Sequence, residues 1–303
     1  MERTVNVKRL IVPKRLLETF TKKYLLGYRV IKMSKAKIDV LLPYWGEFEL
    51  LKKAVESVLA QTETDWRLQI FDDCYPSLEA SEYCAKLHDN RIVYYRHKKN
   101  IGVTKNFNFA LQKATANYCV LLGCDDKMLP SYIETALANI GDADFYQPSI
   151  EVIDEHDNVY LPLGDRIKKL LQPTRSGQLG GEKLATSLSN GNWLYFPSIL
   201  WKTTTIKKYS FDPSYTITQD VMLELNVIKD GGILFFDKNI TFQYRRFAKS
   251  LSSTGISSGT RFREETKVYT YFADKFKAIG WKKAARASTI HITSRLHQLI
   301  TKL

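Results

Sequence analysis

Ile38-Asp39-Val40-Leu41-Leu42-Pro43-Tyr44, followed after Trp45-Gly46-Glu47 by Phe48-Glu49-Leu50-Leu51-Lys52-Lys53-Ala54-Val55-Glu56-Ser57-Val58-Leu59-Ala60, decides the fold class of this 303-residue chain. The first run is short, apolar and β-branched, which predicts a strand over 38–42. The second places Leu50, Leu51, Val55, Val58 and Leu59 at helical spacing, which predicts a helix over 48–60. The alternation continues with strands expected at 68–71, 92–95 and 118–122 and a helix at about 104–114. Strands alternating with amphipathic helices predict an α/β fold around a mostly parallel sheet.

Two of these strands run into acidic pairs, Asp72-Asp73 and Asp125-Asp126. In a parallel sheet both pairs lie on the carboxyl-terminal edge, where open α/β sheets bind ligands. Adjacent carboxylates there offer hard oxygen ligands for a divalent cation. An Asp in such a place also suits a helix cap or an Asx turn.

Downstream, a helix is expected to about residue 140, a less regular stretch over 145–153, a strand over 194–200 and a helix over 221–229 opened by Thr218-Gln219-Asp220. Gly231-Gly232 stops that helix, and two closing strands are expected at 233–236 and 240–244. Arg245, Arg246 and Lys249 begin a basic, Ser-rich loop.

The net charge of +13 is concentrated at the ends: residues 1–36 carry +8 and residues 261–303 carry +7, leaving a middle near neutrality. Both ends show basic amphipathic helical patterns, around 13–31 and around 281–299. These suit either packing on the core with a solvated charged face or binding to an anionic membrane surface. No nucleic-acid module is present. Cys74, Cys84, Cys119 and Cys124 show neither C-x-x-C spacing nor a zinc pattern, so no disulfide framework or zinc site is expected. No run reaches the roughly 18 apolar residues of a membrane span, and no signal-peptide pattern precedes the core. Cytoplasmic localisation is the expectation, peripheral at the inner face of the cell membrane, with Met33 as an alternative start.

Laid in order, the motifs resemble family 2 glycosyltransferases, the inverting nucleotide-sugar enzymes of the Rossmann-like GT-A fold. The resemblance runs from the opening strand and Pro43-Tyr44 turn, through Ala54 to Gln61-Thr62, Phe71-Asp72-Asp73, Asn100-Ile101-Gly102, and Leu121 to Asp126, to Gln219-Asp220. It covers about residues 37–250 and implies three segments. Residues 1–36 are a basic extension. Residues 37–250 are the transferase domain, with a nucleotide-sugar half at 37–130 and an acceptor half at 131–250. Residues 251–303 are a basic loop with C-terminal helices.

The resemblance also implies roles. Asp220 is the general base, Asp125 and Asp126 hold Mn²⁺ or Mg²⁺, and Pro43, Tyr44, Glu49, Asp73, Lys105 and Asp125 surround the nucleotide. Apart from the resemblance, Arg245, Arg246 and Lys249 in their Gly/Ser-bearing loop suit either closure on the diphosphate or a solvated charge cluster, and Trp193, beside Gly191 and Asn192, suits either an acceptor platform or a core position. The implied donor is a UDP- or dTDP-sugar, and the acceptor a glycan or lipid-linked glycan of cell-surface polysaccharide biosynthesis. Departures stand at Gly123, where the family has the first acid of Asp-x-Asp, and at Gln219, where it has Glu. They leave a non-catalytic nucleotide-sugar or glycan-binding protein as an alternative. A nucleotidyltransferase is disfavoured, because Pro43-Tyr44-Trp45-Gly46 stands where such enzymes carry a Gly-rich phosphate loop.

Overall fold

The computed structural model describes residues 37–246 and 259–295. The amphipathic pattern of 13–31, the start at Met33, Lys249, and Leu296 and Leu299 of the C-terminal stripe lie outside them.

Strand β1 (Ile38–Tyr44) is buried along its whole length, and its alternation sorts its side chains into two layers. Val40, Leu42 and Tyr44 face one core with Leu51, Val55 and Val58 of α1 (Phe48–Leu59) and Tyr132 and Ile133 of α4 (Tyr132–Ile140). Leu41 faces the other, with Phe71 of β2 (Trp66–Asp72), Ala110 of α3 (Val103–Lys113) and Leu121 of β4 (Tyr118–Leu121). A sheet covered on both faces explains why these strands read as continuous apolar runs.

Strands β3 (Ile92–Arg96), β2, β1 and β4 are parallel neighbours in that order, with α2 (Glu79–Lys86) in the crossover to β3. Buried Asp39 ties their amino ends together, accepting from Arg67 Nε at 2.7 Å and from the amides of Thr115 and Ala116. Beyond β4 the sheet is mixed. Strand β8 (Leu200–Lys202) runs antiparallel between β4 and β6 (Phe145–Ile153), β6 is parallel to β9 (Leu234–Arg245), and β5 (Lys127–Met128) and β7 (Gly177–Leu179) run antiparallel to β9.

The structure corrects three elements. Residues 145–153 form a nine-residue strand, held by the full length of β9. Residues 194–200 hold a 3-10 turn at Phe196–Ser198 before β8, because Pro197 fixes a turn there. The two closing strands are one, continuous through Asp237, whose carboxylate accepts from Tyr146, Asn139 and Ser176.

Helices α5 (Leu163–Leu171), α6 (Gly181–Asn190), α7 (Thr203–Ile206) and α8 (Gln219–Lys229) complete the second half; α8 ends at Gly231, whose φ of +95° only glycine adopts freely. The long α9 (Thr260–Ala278) and α10 (Lys282–Ile290) belong to the same core. Val268, Phe272, Phe276 and Ala284 pack with Leu184, Leu188 and Leu225. The first half of the C-terminal apolar stripe is therefore a packing face, while Ile292 is exposed. Among the described residues no helix is long and apolar enough to cross a membrane.

Candidate active site

Parallel register brings the carboxyl ends of β1, β2 and β4 to one rim. Tyr44 lies opposite Asp72, and the Asp73 amide donates to the Tyr44 carbonyl at 3.0 Å. Tyr44 packs its ring 5.4 Å from Tyr75, and half-exposed Trp45 sets its edge on the same ring. The Tyr44 hydroxyl is buried with no partner among the described residues. Burial, then the neighbouring Cys124 and Tyr75, raise its pKa, so it is a neutral phenol able to donate. Pro43 is buried in β1, whereas Glu49 in the first turn of α1 and Lys105 on α3 are exposed at the rim.

The acidic pair after β2 is more structural than the sequence suggested. Asp72 accepts from the Tyr75 amide, the Tyr94 hydroxyl and the Arg96 guanidinium. Asp73, 2% exposed, takes the amides of Ile101 and Gly102 at 2.7 and 2.9 Å, one on each oxygen. The carboxylate is fastened to the Asn100–Gly102 loop and fixes the entry to α3, with one further acceptor position left on each oxygen.

The doublet after β4 is split by environment. Asp126 is buried and accepts from the Arg245 amide at 2.8 Å, while Asp125 is half-buried. Burial raises both pKa values, and the Asp125 charge raises Asp126 further, with Arg245 opposing. A Cβ at Gly123 would stand 2.4 Å from Asp126 Oδ2 and 3.1 Å from Asp125 Oδ1. The missing acid is thus replaced in space: the Asp126 carboxylate folds back over Gly123 and takes the room an aspartate there would need. Two adjacent, electrostatically destabilised carboxylates fit a divalent cation that also takes phosphate oxygens. Among the described residues no cluster of three or more metal-ligating side chains exists.

Arg245 does not reach for a diphosphate. It is 2% exposed and donates to the carbonyls of Asp125 and Asp154 and to the Asp157 carboxylate. Asp157 is held at about 2, because Lys53 and Arg245 overcome the burial that would raise it. Arg246 pairs with both oxygens of buried Asp165, and Tyr195 donates to the same carboxylate. Both arginines expected to close on the diphosphate are thus paired within the protein.

Asp220 lies in the first turn of α8, half-buried, with one oxygen taking the Val221 amide at 2.8 Å. Burial raises its pKa, and the positive charges of Lys168 and Arg261 draw it back down. Lys168 itself is pushed down to about 8 by burial and by Arg246, and it donates to the Leu194 carbonyl. One turn below, Glu224 is buried, and burial and the Asp220 charge hold its pKa well above the usual range. Asn192 donates to Glu224 Oε2 at 2.8 Å, while Oε1 has no partner among the described residues. Trp193 is fully buried, its edge on Phe236 and its Nε1 on Ser187, so the expected acceptor platform is corrected to a core residue.

The segment leading to Asp220 is clamped from α9. Glu264 accepts the amides of Thr216, Ile217 and Thr218 and the hydroxyls of Thr216 and Thr218. Those donors overcome burial and hold its pKa below the usual range. Glu264→Ala is expected to destabilise the chain by about 3 kcal/mol, since several charge-assisted bonds vanish and three amides lose their acceptor; urea unfolding measures it. Glu264, Arg261, Lys168, Asp165 and Glu224 were not singled out from the sequence. Only Glu224 had a local signal, an acid four residues after Asp220 among the apolar positions Leu223, Leu225 and Val227.

The family model described as glycosyl transferase family 2 matches residues 39–204. The putative colanic acid biosynthesis glycosyl transferase WcaA of Escherichia coli K12 is 32% identical over 103 residues, 34% of this chain and 37% of that protein. A second relative, the UDP-Glc:alpha-D-GlcNAc-diphosphoundecaprenol beta-1,3-glucosyltransferase WfgD of Escherichia coli, is 22% identical over 262 residues, 82% of this chain and 95% of that protein. The chain spans between 34% and 63% of the lengths of the first three curated relatives it matches. Among solved structures, the mannosyltransferase PcManGT of Pyrobaculum calidifontis, in complex with GDP-Man and Mn²⁺, superposes with a TM-score of 0.61 at 13% identity, covering 95% of this chain and 80% of that one. At that identity the likeness speaks for the fold, which is GT-A. The order of motifs, the sheet and the matched model agree, and the chain belongs to glycosyl transferase family 2.

Proposed function

We propose that this chain transfers a sugar, with inversion at the anomeric carbon, from a UDP- or dTDP-sugar to a glycan or lipid-linked glycan in cell-surface polysaccharide biosynthesis. The observation that carries the reading is the charged chain joining the two halves of the site. Asp126 bonds the amide of Arg245, the next residue Arg246 pairs with Asp165, and Lys168 carries their influence to Asp220.

On this reading the nucleoside lies at the rim of β1, between Trp45 and the Asn100–Gly102 loop, with the Tyr44 hydroxyl as an available donor. Glu49 and Lys105 flank the opening, and the diphosphate sits over Asp125. Asp125 and Asp126 would hold Mn²⁺ or Mg²⁺, which when bound supplies positive charge to the leaving nucleotide. The acceptor hydroxyl approaches from the side of α8. Asp220 takes its proton through the oxygen not bonded to Val221, and the acceptor oxygen forms the new glycosidic bond as the nucleotide leaves. The charges of Lys168 and Arg261 favour the ionised form of Asp220 against the burial that raises its pKa. Glu224 beside it, its pKa held well above the usual range by burial and the Asp220 charge, is the weaker acid of the two. Asn192 serves this site indirectly, by bonding Glu224.

The UDP preference is supported by the activity that WfgD is named for, and a metal by the Mn²⁺ of PcManGT. Activity on the cytoplasmic side, peripheral to the membrane, suits an acceptor carried on lipid. The non-catalytic and nucleotidyltransferase alternatives gain no support. Titration calorimetry of Mn²⁺ in the presence of UDP tests the donor site without turnover. Asp125→Asn is expected to weaken Mn²⁺ binding about tenfold or more, as the loss of one of two carboxylate ligands implies. Unchanged binding would remove the doublet from the metal site.

A further inference from the structure

Over paired β6 and β9, against α5 and the Val159–Leu161 segment, the surface opens into a groove of about 550 Å³, walled by Ile150, Val152, Val159, Leu161, Leu170 and Ile240. Asp165 and Tyr195 also line it; Asp165 pairs with Arg246, and Tyr195 donates to Asp165. Around its mouth the chain presents large apolar side chains to solvent: Leu170 is 85% exposed, Val159 61% and Leu163 60%. A contiguous apolar surface of this kind marks an interaction site.

Leu163 and Leu170 lie seven residues apart on α5, two helical turns, and therefore on one face of it. Exposed Arg166 falls between them, and exposed Lys169, Arg175 and Lys238 surround the patch. Two of the nearby acids are paired with cations, Asp165 with Arg246 and Asp157 with Lys53 and Arg245. Glu151 in the groove wall is bonded only to the neutral amide of Gln243, and Glu155 before Val159 is exposed. Apolar side chains directed outward and ringed by basic ones are what an anionic bilayer surface accepts: the leucines enter the headgroup boundary while the cations meet lipid phosphates.

We propose that this face, α5 with the Val159–Leu161 segment and the rim of the groove, docks the protein on an anionic phospholipid bilayer. The proposal deepens the reading of a membrane-carried acceptor. It sets the lipid surface at a groove lined by Asp165, the partner of Arg246.

Vesicle flotation of the full chain is the test, with phosphatidylglycerol-containing vesicles against phosphatidylcholine alone, for the parent and for the double variant Leu163→Asp with Leu170→Asp. Both positions are exposed, so the variant is expected to keep the parent's melting temperature. The parent is expected to float with the anionic vesicles and the variant to lose at least about tenfold in apparent affinity. Three results would overturn the proposal. The parent fails to bind anionic vesicles; the variant binds as well as the parent, which assigns binding to basic segments elsewhere; or the parent sediments as a dimer that the variant dissolves, which makes the face an interface between copies. Sugar transfer to a water-soluble acceptor, measured on both proteins, reports separately on the catalytic reading, because neither leucine belongs to it.

Discussion

Asp220→Asn is expected to lower sugar transfer by about a hundred- to ten-thousand-fold, the usual contribution of a positioned general base, with binding of the nucleotide-sugar retained. Asparagine preserves the shape and can still accept the Val221 amide, so the head of α8 stays folded while the proton acceptor is lost. The same residue sets the pH dependence. Its pKa is raised by burial, against the opposing charges of Lys168 and Arg261. The acid limb of kcat/KM is therefore expected above the ordinary carboxylate value of about 3.9, with activity rising as pH increases and Asp220 loses its proton. Isothermal calorimetry with the nucleotide-sugar separates loss of the base from loss of the donor site. A variant that binds donor as before and turns over as before would remove Asp220 from the chemistry.

Arg245→Met is expected to act chiefly on stability, by about 3 kcal/mol or more, because it strips a buried guanidinium from Asp157 and from two backbone carbonyls. A residue that only gripped a diphosphate from a solvated loop would change donor affinity and leave unfolding untouched. The sign of the pH dependence also discriminates. Asp157 has a folded pKa of about 2, below the unfolded value of about 3.9. Its stabilisation is present above the unfolded value and lost as pH falls toward 2. The difference in stability between parent and variant is accordingly expected to be full at neutral pH and to shrink between about pH 4 and 2, read from urea unfolding at a series of pH values. A pH-independent difference would mean that the carbonyl contacts alone account for the effect.

The nucleotide half of the fold was legible because its signals are local. Val40, Leu42 and Tyr44 alternate with Leu41 in the text, and the structure sorts them to opposite faces of the sheet. The second half was less so, because β6 and β9 owe their length to each other: Phe145–Ile153 looked irregular, and Leu234–Arg245 looked like two strands until they were paired. The same division runs through the site. Asp125, Asp126 and Asp220 stood out as acids at the ends of periodic elements. That Arg245 turns inward was invisible, since it follows from Asp125, Asp154 and Asp157 converging on it from two distant loops. Glu264 reaches Thr216–Thr218 from 46 or more residues away, a contact no local pattern encodes. Trp193 beside Gly191 and Asn192 had the look of a sugar platform, and packing against Phe236 makes it part of the core.

With Asp220 deprotonating an acceptor that attacks from the face opposite the nucleotide, transfer is a single displacement. The measurement that bears on it most directly is proton NMR of the glycoside formed from an α-linked UDP- or dTDP-sugar. The β anomer is predicted, and an α-linked product would contradict the account.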